Sequence, residues 1–241
     1  DPDASTPMTL TIGGFKQNRS DFGALAGMIN SEGRDTYSGG LCLVNGGVVI
    51  EGDYNLGASG APVKAKGPCI IVMRNGTFAI SDTRTVEILP DSALMFSPLY
   101  GDSGNTVAAK LSGSGDLLTS DFIRRGYAMA YTGDHSAFTG DYYVLGHLRT
   151  PPSVFAANAG ICLADGTNGV GVIETSGSLT RPAGTGKGEI CWKAHATMPA
   201  SYGLRGGFAA RGGDFTVNLG GAGAKLAVGS AYLPAGAVIQ L

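Results

Sequence analysis

The chain has 241 residues, 40 of them glycine, with 43% apolar and only 15% charged side chains and a formal net charge of −2. No strict Gly-X-Y period runs through it, which excludes a collagen-like chain, and its plentiful Val, Ile, Leu and aromatic residues at near-zero net charge exclude a disordered one. The densest basic spot is the pair Arg124-Arg125, too little for a nucleic-acid footprint, and no apolar run approaches the length of a membrane-spanning helix.

Asp1–Pro7 reads as a solvated, processed start, with no signal sequence in view. Met8–Ile12 alternates as a strand does and stops at Gly13-Gly14. Phe22–Asn30 fits a short helix, with Phe22, Leu25, Met28 and Ile29 on one face, Ser20-Asp21 as its cap and an irregular loop as the competing form. Such a helix would lid an open sheet end. From Leu41 the strand signals are short bursts: Leu41–Val44 and Val48–Glu51 around Asn45-Gly46, then Cys69–Met73 and Thr77–Ile80 around Asn75-Gly76, then Thr85–Leu89. Asn-Gly between β runs is also the strongest hairpin signal, so a parallel solenoid and an antiparallel meander share this text. Leu89–Phe96 is echoed by Leu233–Gln240, which suggests internal repetition. Glycine-spaced runs continue at Leu111–Leu118, Ile123–Tyr131, Tyr142–Leu145, Ser153–Ala157, Gly160–Leu163, Gly171–Glu174, Glu189–Lys193, Phe215–Leu219 and Lys225–Val228. The finish inside an apparent strand at Leu241 suggests a trimmed precursor or a last coil awaiting another chain.

Ala128–Thr150 organises the chain: strand, glycine corner, aromatic, glycine corner, strand. This is what one coil of a solenoid needs, and one coil cannot bury its apolar face without stacked neighbours. Its centre, Gly133-Asp134-His135-Ser136-Ala137-Phe138-Thr139-Gly140, resembles the autotransporter-associated β-strand repeat, with Gly133, Asp134, Phe138, Thr139 and Gly140 at the motif positions. Val172–Gly177, Gly184–Glu189, Gly206–Ala210 and Val217–Gly221 are similar to the segment that follows such repeats in large secreted bacterial proteins. The resemblance covers the C-terminal half, and Asp1–Thr106 only in texture. It implies an all-β, right-handed parallel β-helix exported to the bacterial cell surface, and no particular activity. The expected layout is one domain, 1–40 as N-terminal segment and cap and 41–241 as the β-helix.

The four cysteines, Cys42, Cys69, Cys162 and Cys191, are spaced for pairing Cys42 with Cys69 and Cys162 with Cys191 on stacked strands. Buried free thiols are the alternative. Gly184-Thr185-Gly186-Lys187-Gly188 is not a phosphate loop, because Arg181 stands where a glycine is needed and Gly188 where a hydroxyl is needed. Cys191 and His195 offer two ligands where a closed zinc site needs four, so no metal and no cofactor is expected. No G-x-S-x-G elbow occurs, and Gly113-Ser114-Gly115 does not make one. Asp134 and His135 with Asp121, Arg124 and Arg125 form the best candidate cleft, against the simpler reading of Asp134 as a turn residue. Tyr127, Tyr131, Tyr142, Tyr143 and Trp192 could make a platform for sugars, against a core role.

Three functions compete. The first is a non-catalytic structural or adhesive module that self-associates head to tail, and the second a polysaccharide lyase or hydrolase. The third is a glycan-binding module contacting a glycan or host surface.

Overall fold

The structure, a computed structural model, describes residues 7–13, 37–74, 78–99, 105–120, 127–166, 169–198, 203–221 and 223–241. Its strands form three sheets. Sheet A comprises β1 (Thr9–Gly13), β2 (Gly40–Val44), β4 (Val63–Lys66), β7 (Thr85–Ile88), β10 (Lys110–Gly113) and β13 (Ala137–Phe138). Sheet B comprises β3 (Gly47–Ile50), β5 (Pro68–Met73), β8 (Ala93–Pro98), β11 (Asp116–Ser120), β14 (Tyr142–Leu145), β16 (Ile161–Leu163) and β18 (Ile190–Trp192). Sheet C comprises β6 (Ala79–Ile80), β9 (Asn105–Val107), β12 (Ala128–Tyr131), β15 (His147–Leu148), β17 (Gly171–Thr180), β19 (Arg205–Asn218) and β20 (Val238–Gln240).

Every pairing between these strands is parallel. From β4 to β15 the chain visits sheets A, B and C in strict rotation. A hairpin would pair consecutive strands antiparallel, so Asn45-Gly46 is a corner from sheet A into sheet B instead. That corner repeats. Asn45 (φ 47°), Gly67 (φ 72°), Asp91 (φ 56°) and Gly113 (φ 96°) place one left-handed residue at the A-to-B passage of four successive turns. Only glycine, Asn and Asp enter that region at little cost.

Period-two alternation sends one set of side chains inward. Leu41, Val63, Val86 and Leu111 stack at one level of sheet A, and Met129, Leu148, Ile173 and Phe208 at one level of sheet C. Val48, Ile71, Phe96, Thr119, Val144, Leu163 and Trp192 make the matching row of sheet B, all buried. Each large apolar side chain buried this way contributes about 1.5–3 kcal/mol before entropy is charged against it. Thr119, the polar member, is satisfied by the Tyr131 hydroxyl at 2.6 Å.

Sheet B is dry on its other side as well. Ile70, Met95, Leu118, Tyr143, Cys162 and Cys191 form an outward row in continuous register, each no more than 5% exposed. Two-sided burial explains the unbroken apolar text of Cys69–Met73. Sheet A, by contrast, alternates inward Val63 and Ala65 with exposed Lys64 and Lys66.

Several expectations change. β1 pairs residue for residue with β2, so sheet A begins inside the 1–40 segment expected to be continuous with the rest. The Phe22–Asn30 helix lies outside the described residues. Leu111–Leu118 is two strands on different sheets, broken at Gly113. Ser153–Ala157 begins with a 3-10 turn, Pro152–Val154, because Pro151 and Pro152 supply no ladder amide. Lys225–Val228 is not a strand. At the end of the stack, β20 pairs with Arg205–Gly207 of β19, and the Trp192 amide donates to the Tyr232 carbonyl at 2.8 Å.

The glycines of the repeat-like motif are needed for close approach rather than for unusual angles. A Cβ on Gly140 would lie 1.9 Å from the Gly115 carbonyl oxygen of the preceding turn, and one on Gly133 would lie 2.0 Å from that of Ala109. Gly140→Ala is therefore expected to destabilise the chain by about 1–3 kcal/mol, as overpacking does. Urea denaturation checks this, and an unchanged midpoint would mean the neighbouring turn yields freely.

Candidate functional site

Of the cleft expected around Asp134 and His135, these two neighbours point to opposite sides. Asp134 is exposed, and its Oδ1 accepts the Ser136 amide at 2.9 Å in an Asx turn that draws its carboxyl below the ordinary value. His135 is 2% exposed, with its ring parallel to that of Tyr142 at 5.9 Å. Asp121, Arg124 and Arg125 lie outside the described residues.

The aromatic platform is corrected too. Tyr131, Tyr142 and Trp192 face the interior, Tyr143 belongs to the buried outward row of sheet B, and half-buried Tyr127 precedes β12 alone. Their polar tips are occupied. Trp192 Nε1–H donates to the Gly206 carbonyl at 3.0 Å, and the Tyr142 hydroxyl accepts the Ala156 amide at 3.2 Å. Its own proton is then free for His135 Nδ1, 3.0 Å away. Burial pushes the Tyr142 phenol up to about 12. These rings build a core, as strand aromatics generally do.

The cysteines divide differently from their spacing. All four are free thiols. Cys42 points outward from sheet A, in register with Thr11 and Lys64, whereas Cys69 points inward from sheet B, in register with Leu94. Opposite faces of different sheets prevent the expected Cys42–Cys69 bridge. The Cys69 thiol instead contacts the Leu43 and Lys66 carbonyls at 3.5 and 3.4 Å. Cys162 and Cys191 are register partners, with sulfurs 3.3 Å apart.

Two polar constellations do assemble, neither of them visible in the sequence. On the outer face of sheet C, Glu174 Oε1 meets His147 Nδ1 while its Oε2 accepts Arg149 Nε at 2.9 Å. Burial works against the Glu174 charge, but the guanidinium and imidazole outweigh it and hold the carboxyl below its usual range. Small outward residues, Ala128, Ala130 and Ala209, flank this trio on neighbouring strands.

The second constellation lines a cleft of about 230 Å³ with Pro68, Asp91, Ser92, Ala93, Ser114 and Gly115 around Asp116, His195 and Thr197. The Thr197 amide reaches His195 Nδ1 at 3.2 Å, so Nδ1 accepts and Nε2–H donates to Asp116 Oδ2 at 3.2 Å. The Thr197 hydroxyl adds a contact to Nδ1 at 2.6 Å. Burial disfavours the Asp116 carboxylate, yet His195 and the Asp141 amide leave it below the ordinary value.

Most remaining charges brace one turn against the next. Asp116 Oδ1 accepts the Asp141 amide at 3.0 Å, and Asp141 Oδ1 accepts the Gly160 amide at 2.8 Å and Lys187 Nζ at 2.7 Å. Asp165 holds both the amide and the guanidinium of Arg205. Two buried arginines clamp the carbonyls of 3-10 loops one turn earlier. Arg84 grips Asp53, Leu56 and Ala61, and Arg181 grips Phe155, Ala156 and Ala159. At Gly184–Gly188 the Gly186 amide is taken by Glu189 at 2.6 Å, as a glycine-rich corner requires. Among the described residues no three His, Cys, Asp or Glu side chains gather as a metal centre would need.

No family model, no curated protein and no solved structure matches the chain.

Proposed function

We propose that the chain is a right-handed parallel β-helix exported to a bacterial cell surface, working as a non-catalytic structural or adhesive module. The observation that carries the reading is the use of its charges. Asp53, Asp141, Asp165, Arg84 and Arg181 each tie one strand level to a neighbouring one, and Asp116 does so while also meeting His195. The motif around Gly133 and Gly140, with its close inter-turn approach, supports kinship with autotransporter passengers. Rigid stacks of parallel strands carry edges whose backbone groups can pair with another chain. Among the described residues β1 and β20 each have one strand neighbour, and a second copy stacked head to tail would supply the other. Light scattering and electron microscopy across a concentration series test this. Concentration-dependent elongated assemblies are the expected result, and a compact monomer at the highest concentration would refute the assembly.

One observation favours a second reading, cleavage of a polysaccharide on the same scaffold. The Glu174, His147 and Arg149 trio sets a carboxylate, an imidazole and a guanidinium within hydrogen-bond reach on a sheet face. A screen of acidic and neutral polysaccharides decides between the two. Turnover that Glu174→Gln abolishes would establish the enzyme, and no turnover on any of them leaves the scaffold.

A further inference from the structure

The outward row of sheet B ends in two thiols that are nearest neighbours across adjacent strands. We propose that Cys162 and Cys191 are a reversible dithiol–disulfide couple that staples successive strands of sheet B. This goes beyond the scaffold reading and stands whichever function the chain performs.

Geometry carries it. Cys162 and Cys191 are direct register partners on β16 and β18, both side chains leave the same face, and their sulfurs lie 3.3 Å apart. Neighbouring strands run about 4.8 Å apart, within the Cα separation of roughly 4.4–6.8 Å that a disulfide spans. The bridge therefore closes by rotation of two side chains, without moving either strand. Neither of the other cysteines has such a partner, since Cys42 and Cys69 occupy opposite faces of different sheets.

The Cys191 thiol donates to Cys162 Sγ across that 3.3 Å gap. Both are 4% exposed, and Met198 packs in the same outward cluster.

The co-reactant is a low-molecular-weight disulfide. One of the two cysteines gives its proton to water and its thiolate attacks one of the small disulfide's sulfurs; that S–S bond breaks, and one small thiolate leaves and takes a proton from water. The other cysteine then releases its proton to water and attacks the first sulfur in the mixed disulfide, expelling the second small thiolate, which is protonated by water. The protein loses two hydrogens and two electrons, and the small disulfide becomes two thiols.

The test is incubation of the folded chain with oxidised glutathione, followed by intact mass and peptide mapping. The expected product has lost two hydrogens, carries a Cys162–Cys191 bridge, melts about 10 °C higher and reverts with dithiothreitol. Cys162→Ser and Cys191→Ser are each expected to stop at a lasting glutathione adduct on the remaining sulfur, with no second thiol to resolve it. Absence of the bridge, or a bridge to Cys42 or Cys69, overturns the couple. Circular dichroism of each variant separates loss of fold from loss of reactivity.

Discussion

Replacing Arg84 with alanine is expected to lower the unfolding free energy by about 3–5 kcal/mol, the usual result of removing one partner from a buried ionic network. Arg84 is wholly buried, and its fork is fully used. Nε and Nη2 hold the two Asp53 carboxylate oxygens at 2.9 and 2.8 Å, while Nη1 donates to the Leu56 and Ala61 carbonyls at 2.9 and 2.5 Å. Alanine leaves those carbonyls without donors and the Asp53 charge without its counterion. Lysine does not rescue the loss, because a single ammonium cannot span a carboxylate and two carbonyls at once. Asp53→Asn, which keeps an acceptor and the carbonyl contacts, is expected to cost less than half as much. Urea denaturation of the three variants checks the order, and an Arg84→Ala penalty below about 1 kcal/mol, the worth of an exposed pair, would show that the clamp is dispensable.

The second large effect is acid sensitivity centred on His135. Burial drives its imidazole from 6.5 down to about 4, with the neighbouring Asp134 charge only partly opposing this. The Tyr142 hydroxyl serves Nδ1, so Nε2 carries the proton, and it has no partner among the described residues. The unfolded chain takes up a proton below pH 6.5 while the folded chain refuses it until about pH 4. Stability from this residue is therefore complete above pH 6.5 and falls between pH 6.5 and 4, by about 3 kcal/mol in all. Asp116 and Glu174, both held below ordinary carboxylate values, act in the same direction but only once unfolded carboxylates begin to protonate. His135→Phe keeps the ring against Tyr142 and removes the titration. Its stability is expected to be nearly flat from pH 6.5 to 5, where the parent chain already declines. Equal slopes for the two proteins would place the proton uptake elsewhere.

Strands were legible wherever alternation or an unbroken apolar run met a glycine, Asn or Asp at a corner, and β2, β3, β5 and β14 fall close to where the text places them. Direction was not, because Asn45-Gly46 serves a hairpin and a sheet-to-sheet corner equally well locally. Only pairing with residues of the next turn distinguishes the two. Cysteine spacing failed for Cys42 and Cys69 because coil length fixes the level in the stack but not the sheet or the face. The clamps Arg84 and Arg181 are single basic residues after threonine, with no periodic context, and the carbonyls they serve come from distant loops. His195 and Asp116 lie 79 positions apart, so the cleft they line had no local signature.

The dry outward row of sheet B makes the three sheets unequal in how they tolerate change. Polar replacements at exposed outward positions of sheet A, such as Lys66, meet solvent. At Ile70, Met95 or Leu118, residues that look superficial in a strand diagram, the same replacements would act as interior lesions. A mutational scan would therefore show one sheet with no permissive face, and engineered tags or ligand-binding loops belong on the exposed outward positions of sheet A.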